Sequence, residues 1–216
     1  MSMNRPELAE LFNKLDATTY NHSIRVMKIA AEIESFYGIE DDSLSIAALL
    51  HDIGKIYVSR KVLDKVAPLS SLEREIVSLH PYYGYQILKN YDIDEEICRL
   101  VLYHHGLKPT CITPIEPYYT DKIKDRSKLL HSIDSFEALT SDRPYHRGYT
   151  SQEALHIMLG ESGHHKIFID YLQFLIKSKS KDTETAIFRG NHGADDEKAD
   201  SILYNLSPSM IMFGVG

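Results

Sequence analysis

The chain has 216 residues and a formal net charge of −7, from 24 Lys and Arg against 31 Asp and Glu. That length suits one domain with appendages, large enough to bury a core without disulfide or metal staples. The acidic balance argues against coating of polymeric nucleic acid or docking on anionic membranes, and the apolar share (43%) is that of a globular chain.

Taken in chain order, apolar residues recur mostly at helical spacing. Ile24, Met27, Ile29, Ile33 and Phe36 predict a helix over 18–37, with Gly38 just past its end. Asp41, Asp42 and Ser43 form a cap cluster before a short helix over 44–52, which Gly54 is expected to close. Ser70 and Ser71 cap a helix carrying Leu72, Ile76 and Leu79, and Pro81 marks a break and the first turn of the next helix. Asp94 opens a helix running to about His105, with Ile97, Val101 and Leu102 on its buried side. Residues 106–119, with Pro109, Pro114 and Pro117, lack a period and read as a loop. Further helices are expected over 122–140, 151–159 and 165–176. No alternating strand pattern appears in the first 180 residues, so the fold class is all-α. Residues 1–178 read as one domain and 179–216 as a C-terminal appendage, polar at first and apolar at its end, that packs back on it.

Two cysteines, Cys98 and Cys111, fit neither a disulfide framework nor a zinc motif, which points to a reducing compartment. The opening MSMNRPELAELF has no apolar signal core, and the longest clear apolar run, Ile46–Leu50, is far too short to span a bilayer. The expected location is the cytoplasm.

Eleven histidines are clustered rather than scattered. An ordered set stands out: His22, His51-Asp52, His80, His104-His105 and Asp134. Imidazole and carboxylate donors suit first-row transition metals. Adjacent side chains on a helix diverge by about 100°, so His51 and Asp52 can share a target only near a helix end. Gly54, Pro81 and Gly106 each supply such an end beside a member of the set. Seven donors exceed one tetrahedral site but suit two cations with a bridging carboxylate. Such a pair clamps the attacking and leaving oxygens of an in-line phosphoryl displacement. Each member alone is weak, since a lone His22 or His80 is more often a satisfied core or surface residue; the ordered set is what carries weight.

The segments HDIGK (51–55), HPYYG (80–84), the paired His104-His105 and DSFEALTSDR (134–143) resemble, in that order, the HD superfamily of metal-dependent phosphohydrolases, and within it the HD-GYP family. The resemblance runs from about His22 to Phe174 and includes Gln152–Leu155. It implies a helical bundle with a binuclear metal site in its core. One ion would be held by His22, His51, Asp52 and Asp134, and Asp52 would bridge to a second held by His80, His104 and His105. Lys55 would face the scissile phosphate, with Asp52 and Lys55 as the catalytic pair. Arg143 matches a phosphate-contacting arginine, a role that suits its bidentate fork, and His146 stands where the family has another arginine. After His104-His105 this chain reads GLKPTCITPIEPYYT in place of the family's DGxGYP run, so it resembles a degenerate member. Some members have a third-metal Glu where this chain has Thr18, so two divalent transition ions are expected, iron, manganese or a similar metal.

The implied activity is hydrolysis of a cyclic dinucleotide resembling cyclic di-GMP, or of a related nucleotide phosphoester. Alternatives are a non-catalytic nucleotide- or partner-binding signalling module, and a nucleotidase of the wider superfamily. The partners expected are a small nucleotide, with a homo-oligomer or signalling partner compatible, and neither polymeric nucleic acid nor membrane.

Among the other residues, His131 lies three before Asp134 on the same helical face. It reads either as a residue steadying a ligand or as a buried structural histidine. His164 and His165 read as exposed loop or cap residues, Tyr118 and Tyr119 as packed loop aromatics that could also stack on a base, and Cys98 as core. The run Asp195–Lys198 reads as a solvated helix start.

Overall fold

A computed structural model describes residues 8–91, 93–106, 119–142 and 147–179. Among them there are ten α-helices and no strand, as the spacing predicts. In order these are α1 (Leu8–Phe12), α2 (Ala17–Tyr37), α3 (Ser43–Leu50), a 3-10 turn (Ile53–Tyr57), α4 (Arg60–Leu63), α5 (Ser71–Ser78), α6 (His80–Leu88), α7 (Glu95–Tyr103), α8 (Asp121–Thr140), α9 (Ser151–Gly160) and α10 (Lys166–Lys179). None is long and apolar enough to cross a membrane. The appendage beyond Lys179, Cys111, Tyr118, Arg143, His146 and the run Asp195–Lys198 lie outside the described residues.

The helices start and stop where local chemistry demands. Asp16 caps α2 by accepting from the Thr19 amide at 2.9 Å, and Gly38 ends it at φ 65°, a left-handed conformation that glycine adopts without strain. Ser70 and Thr150 each form a capping box, with Glu73 and Glu153 respectively. Asp94 caps α7 through the Glu96 amide at 2.7 Å. Helix α3 differs from expectation. Asp42 occupies its N-cap but makes no side-chain cap bond. The buried Glu34 of α2 does the work instead, accepting from the amides of Leu44 and Ser45 at 3.0 Å each. Free amides at a helix start attract a carboxylate from any direction, so a residue ten positions away can replace the local cap.

The core is one cluster. Met27, Ala30 and Ile33 of α2 join Ala47, Leu49 and Leu50 of α3, Leu100 and Val101 of α7, and Leu130, Ile133 and Phe136 of α8. Helices α2, α3, α7 and α8 pack on one another, and α6 covers the 3-10 turn and α7. Some expected core positions face outward: Phe36 is 46% exposed, Leu72 65% and Ile76 37%. Helix α5 buries no residue, because it touches the rest of the bundle mainly through α6.

Gly54 does not close α3, which stops at Leu50. It sits in the 3-10 turn, where a Cβ would lie 2.0 Å from the His80 carbonyl oxygen and 2.5 Å from the Gly84 amide. Its role is to let α6 approach the turn that carries Asp52, rather than to end a helix.

Candidate metal centre

Each residue of the histidine–aspartate set sits at or near a helix terminus, or in the middle of a long helix facing one. His51 is the C-cap of α3 and still helical, whereas Asp52, at φ −99° and ψ 3°, has left the helix. That change of backbone lets two adjacent side chains face the same point. His80 opens α6, and His104 is the C-cap of α7 with His105 in the turn behind it. Gly106, at φ 76°, ends that turn. Helices α2 and α8 bring in His22 and Asp134 from the other side.

The structure brings together all seven side chains named from the sequence. His80, His104 and His105 have donor atoms within 4.8 Å of one another, as do His22, His51 and Asp134, and His51, Asp52 and His104. Asp52 lies between the groups. Its Oδ1 is 3.1 Å from His80 Nε2, and its Oδ2 is 3.4 Å from His51 Nε2 and 3.8 Å from His22 Nε2. Asp134 Oδ1 is 3.0 Å from His22 Nε2 and 3.9 Å from His51 Nε2. Lys55 Nζ rests on Asp52 Oδ2 at 2.6 Å. Of the expected substrate contacts, only Lys55 falls among the described residues.

The ring orientations are set from behind. His51, His80 and His104 each donate Nδ1–H to the carbonyl three residues earlier, on Ala48, Val77 and Val101, all at 2.7 Å. This fixes the tautomer and turns each Nε2 lone pair toward the centre. His80 Nε2 and His104 Nε2 are 3.2 Å apart. With both Nδ1 hydrogens committed elsewhere, two lone pairs face each other, and a cation between them relieves that repulsion. The donor set and its orientation therefore fit divalent metal ions.

Glu137 is the member that sequence reasoning missed. It is 3% exposed and accepts from His22 Nδ1, from Arg25 and from Ser141. Its signal was present in the spacing: it lies three residues after Asp134 and so on the same face of α8. A carboxylate behind a metal-ligating histidine orients the ring and raises its basicity.

Protonation follows these neighbours. Burial opposes a charge on His22, but hydrogen bonds to Asp134 and Glu137 and the nearby Asp52 outweigh it and push the imidazole up to about 9. Burial and neighbouring histidines drive the other side the opposite way. His105 falls to about 3 and His104 well below its ordinary value. Burial lowers His51 despite Asp52 and Asp134. Burial alone would raise Asp52, yet Lys55, His51 and His80 hold it well below the usual carboxylate range.

Two of the remaining histidines are placed otherwise than expected. His164 is half-buried and His165 buried, with side chains 7% and 8% exposed. The turn into α10 packs on α8: the His165 amide donates to Ser132 Oγ at 2.8 Å, and its Nε2 lies 2.9 Å from Asp125. Cys98 is core, as expected, and burial pushes its thiol up to about 12.

An all-helical bundle with this cluster at its centre defines a class, and residues 19–139 match the HD domain family. The chain belongs to that family, and all seven residues fall inside the matched span. Among curated proteins it is similar to cyclic di-GMP phosphodiesterase PA4108 of Pseudomonas aeruginosa, 29% identical over 69% of this chain and 37% of that protein. It is also similar to 3'3'-cGAMP-specific phosphodiesterase 3 of Vibrio cholerae, 34% identical over 65% of this chain and 31% of that one. The chain thus spans about a third of the length of these relatives. Among solved structures, the HD domain of the Listeria monocytogenes phosphodiesterase PgpH, in complex with cyclic-di-AMP, shares the fold. That match has a TM-score of 0.51 at 19% identity, over 96% of this chain and 98% of that one.

Proposed function

We propose that this chain is a metal-dependent phosphodiesterase acting on a cyclic dinucleotide. The observation that carries the reading is the position of Asp52, with one carboxylate oxygen toward His80 and the other toward His22 and His51. His22, His51, Asp52 and Asp134 would hold one divalent ion, and Asp52, His80, His104 and His105 a second. Bound there, the ions would supply Lewis acidity toward phosphate oxygens and lower the pKa of water.

The chain's own groups do the rest. His51, His80 and His104 arrive with lone pairs already turned inward, so the donors need no reorganisation. Lys55 is held beside Asp52 by a part-buried ion pair and carries a fixed positive charge at the edge of the cluster. A phosphate entering there would meet an ammonium placed to stabilise charge that grows on its oxygens. The named relatives act on cyclic di-GMP and on 3'3'-cGAMP, which supports a cyclic dinucleotide as substrate.

The test is a panel of cyclic dinucleotides, linear dinucleotides, short RNA and mononucleotides, each with Mn²⁺ or Fe²⁺. Hydrolysis of a cyclic dinucleotide at the highest kcat/KM is the expected result. Hydrolysis only of linear RNA or mononucleotides would overturn the substrate class, and no turnover of any compound would overturn the activity.

A further inference from the structure

Away from the metal centre, helix α10 is apolar over more than half its circumference. Phe168 and Leu172 are buried, and Ile169, Leu175 and Ile176 pack against the core. Ile167, Tyr171 and Phe174 follow at spacings of four and three and so form one further stripe. Within it Ile167 is 37% exposed and Phe174 51%. A helix on the surface of a globular domain needs only one apolar face, and a wider one belongs to a helix that is covered on a second side.

The open stripe continues onto the end of α2. The ring of Phe36, itself half exposed, has its centroid 5.2 Å from Tyr171, 5.0 Å from Phe174 and 4.9 Å from Tyr37. Tyr37 donates to the Ile167 carbonyl at 3.0 Å, and Tyr171 donates to Glu32 Oε2, also at 3.0 Å. One turn before Glu32, Ile29 lines a groove with Phe136, Leu175 and Ile176. Groove and aromatic cluster form one continuous apolar surface, open among the described residues, of the kind that marks a contact site.

The chain beyond α10 contains a segment that matches this surface. Ala199, Ile202, Leu203 and Leu206 fall at i, i+3, i+4 and i+7, the spacing of one apolar helix face. Asp195, Asp196 and Glu197 precede them and Pro208 follows, which are start and stop signals for a short helix. We propose that residues 195–206 form a covering helix on the α2–α10 face, with Ile202, Leu203 and Leu206 against Phe36, Ile167 and Phe174. The connecting residues 180–198 are mainly polar, and 19 residues of coil span about 25 Å. Helix α10 is about 21 Å long, from its 14 residues, so the segment reaches any point along it. The tether places this segment at an effective concentration on the order of millimolar. That advantage favours it over a second copy of the chain. The covering helix ties α10 to the half of α2 that lies beyond His22.

The experiment uses the full purified chain with the photo-crosslinking amino acid p-benzoylphenylalanine in place of Phe174, an exposed position that tolerates the change. The expected product is a crosslink within one chain, mapped by mass spectrometry to residues 199–206. A product of twice the chain mass would mean that a second copy covers the face, and would overturn the proposal. So would a link to another part of the chain, or no link at all. Hydrogen exchange on the unmodified chain gives a second reading. The amides of 199–206 should exchange about tenfold or more slowly than in an unfolded peptide. The pair Leu203→Asp and Leu206→Asp should remove that protection and speed exchange in α10. Unprotected amides in the wild type, or an α10 indifferent to the two aspartates, would overturn the covering helix. If circular dichroism shows that the double variant is misfolded, the crosslink and the wild-type exchange decide.

Discussion

Around Asp52, one side of the centre gathers carboxylates and the other gathers imidazoles. His22 and His51 stand among Asp134 and Glu137, whereas His80, His104 and His105 have mainly one another, with ring centroids 4.0–5.2 Å apart. Without metal, the first side holds a proton on His22 up to a pKa of about 9, and the second sheds its proton on His105 by about 3. The same residue type would therefore meet a cation in two states. At neutral pH an ion entering the imidazole side would release no proton from His104 or His105, whereas one entering the carboxylate side would release one from His22.

The strongest way to break this division is to remove what the sides share. Asp52→Ala is expected to lose metal from both sides and activity to background, as read by metal content and turnover. Single ligand changes should separate them: His104→Ala and His22→Ala are each expected to lose about one ion per chain. If either single variant loses all its metal, the two sides fill as a unit and the comparison fails.

A subtler change sharpens it. Glu137 touches His22 but none of the imidazole side. Glu137→Gln is expected to weaken metal binding at the carboxylate side by about 10–100-fold, the range for removing a partner behind a ligating histidine, and to leave the other side unchanged. Isothermal titration at neutral pH would resolve the two events; equal weakening of both would show that Glu137 acts on the whole fold.

The bundle and the seven clustered residues were legible because each carries a local signal. Helix period, Gly38, Pro81 and Gly106 mark the elements, and histidines beside helix ends mark the donors. What escaped depends on contacts between helices. Glu34 caps a helix from ten residues away, Glu137 backs His22 across 115 positions, and Gly54 is required by the approach of His80 rather than by a turn. His164 and His165 look like loop residues until α8 is seen beneath them. In each case the residue type was ordinary, and only its partner gave it meaning.

The smallest expected effect is the pH dependence of the metal-free chain, and it tests the comparison without any substitution. His22 has its folded pKa raised from 6.5 to about 9. Its contribution to stability is complete below pH 6.5 and is lost as pH rises through about 9, because the unfolded chain gives up the proton first. His105 runs the other way, from 6.5 down to about 3. It penalises folding once the unfolded chain takes up a proton, so stability falls as pH drops from 6.5 toward 3. The two sides together place the stability maximum of the metal-free chain near pH 6.5, with a decline on each flank. Thermal unfolding from pH 4 to 9 in the presence of chelator would trace it. Glu137→Gln should flatten the alkaline decline, because His22 then loses a carboxylate that holds its proton, and should leave the acid decline in place. A variant that changes both flanks equally would mean that the protons on the two sides are not separately controlled.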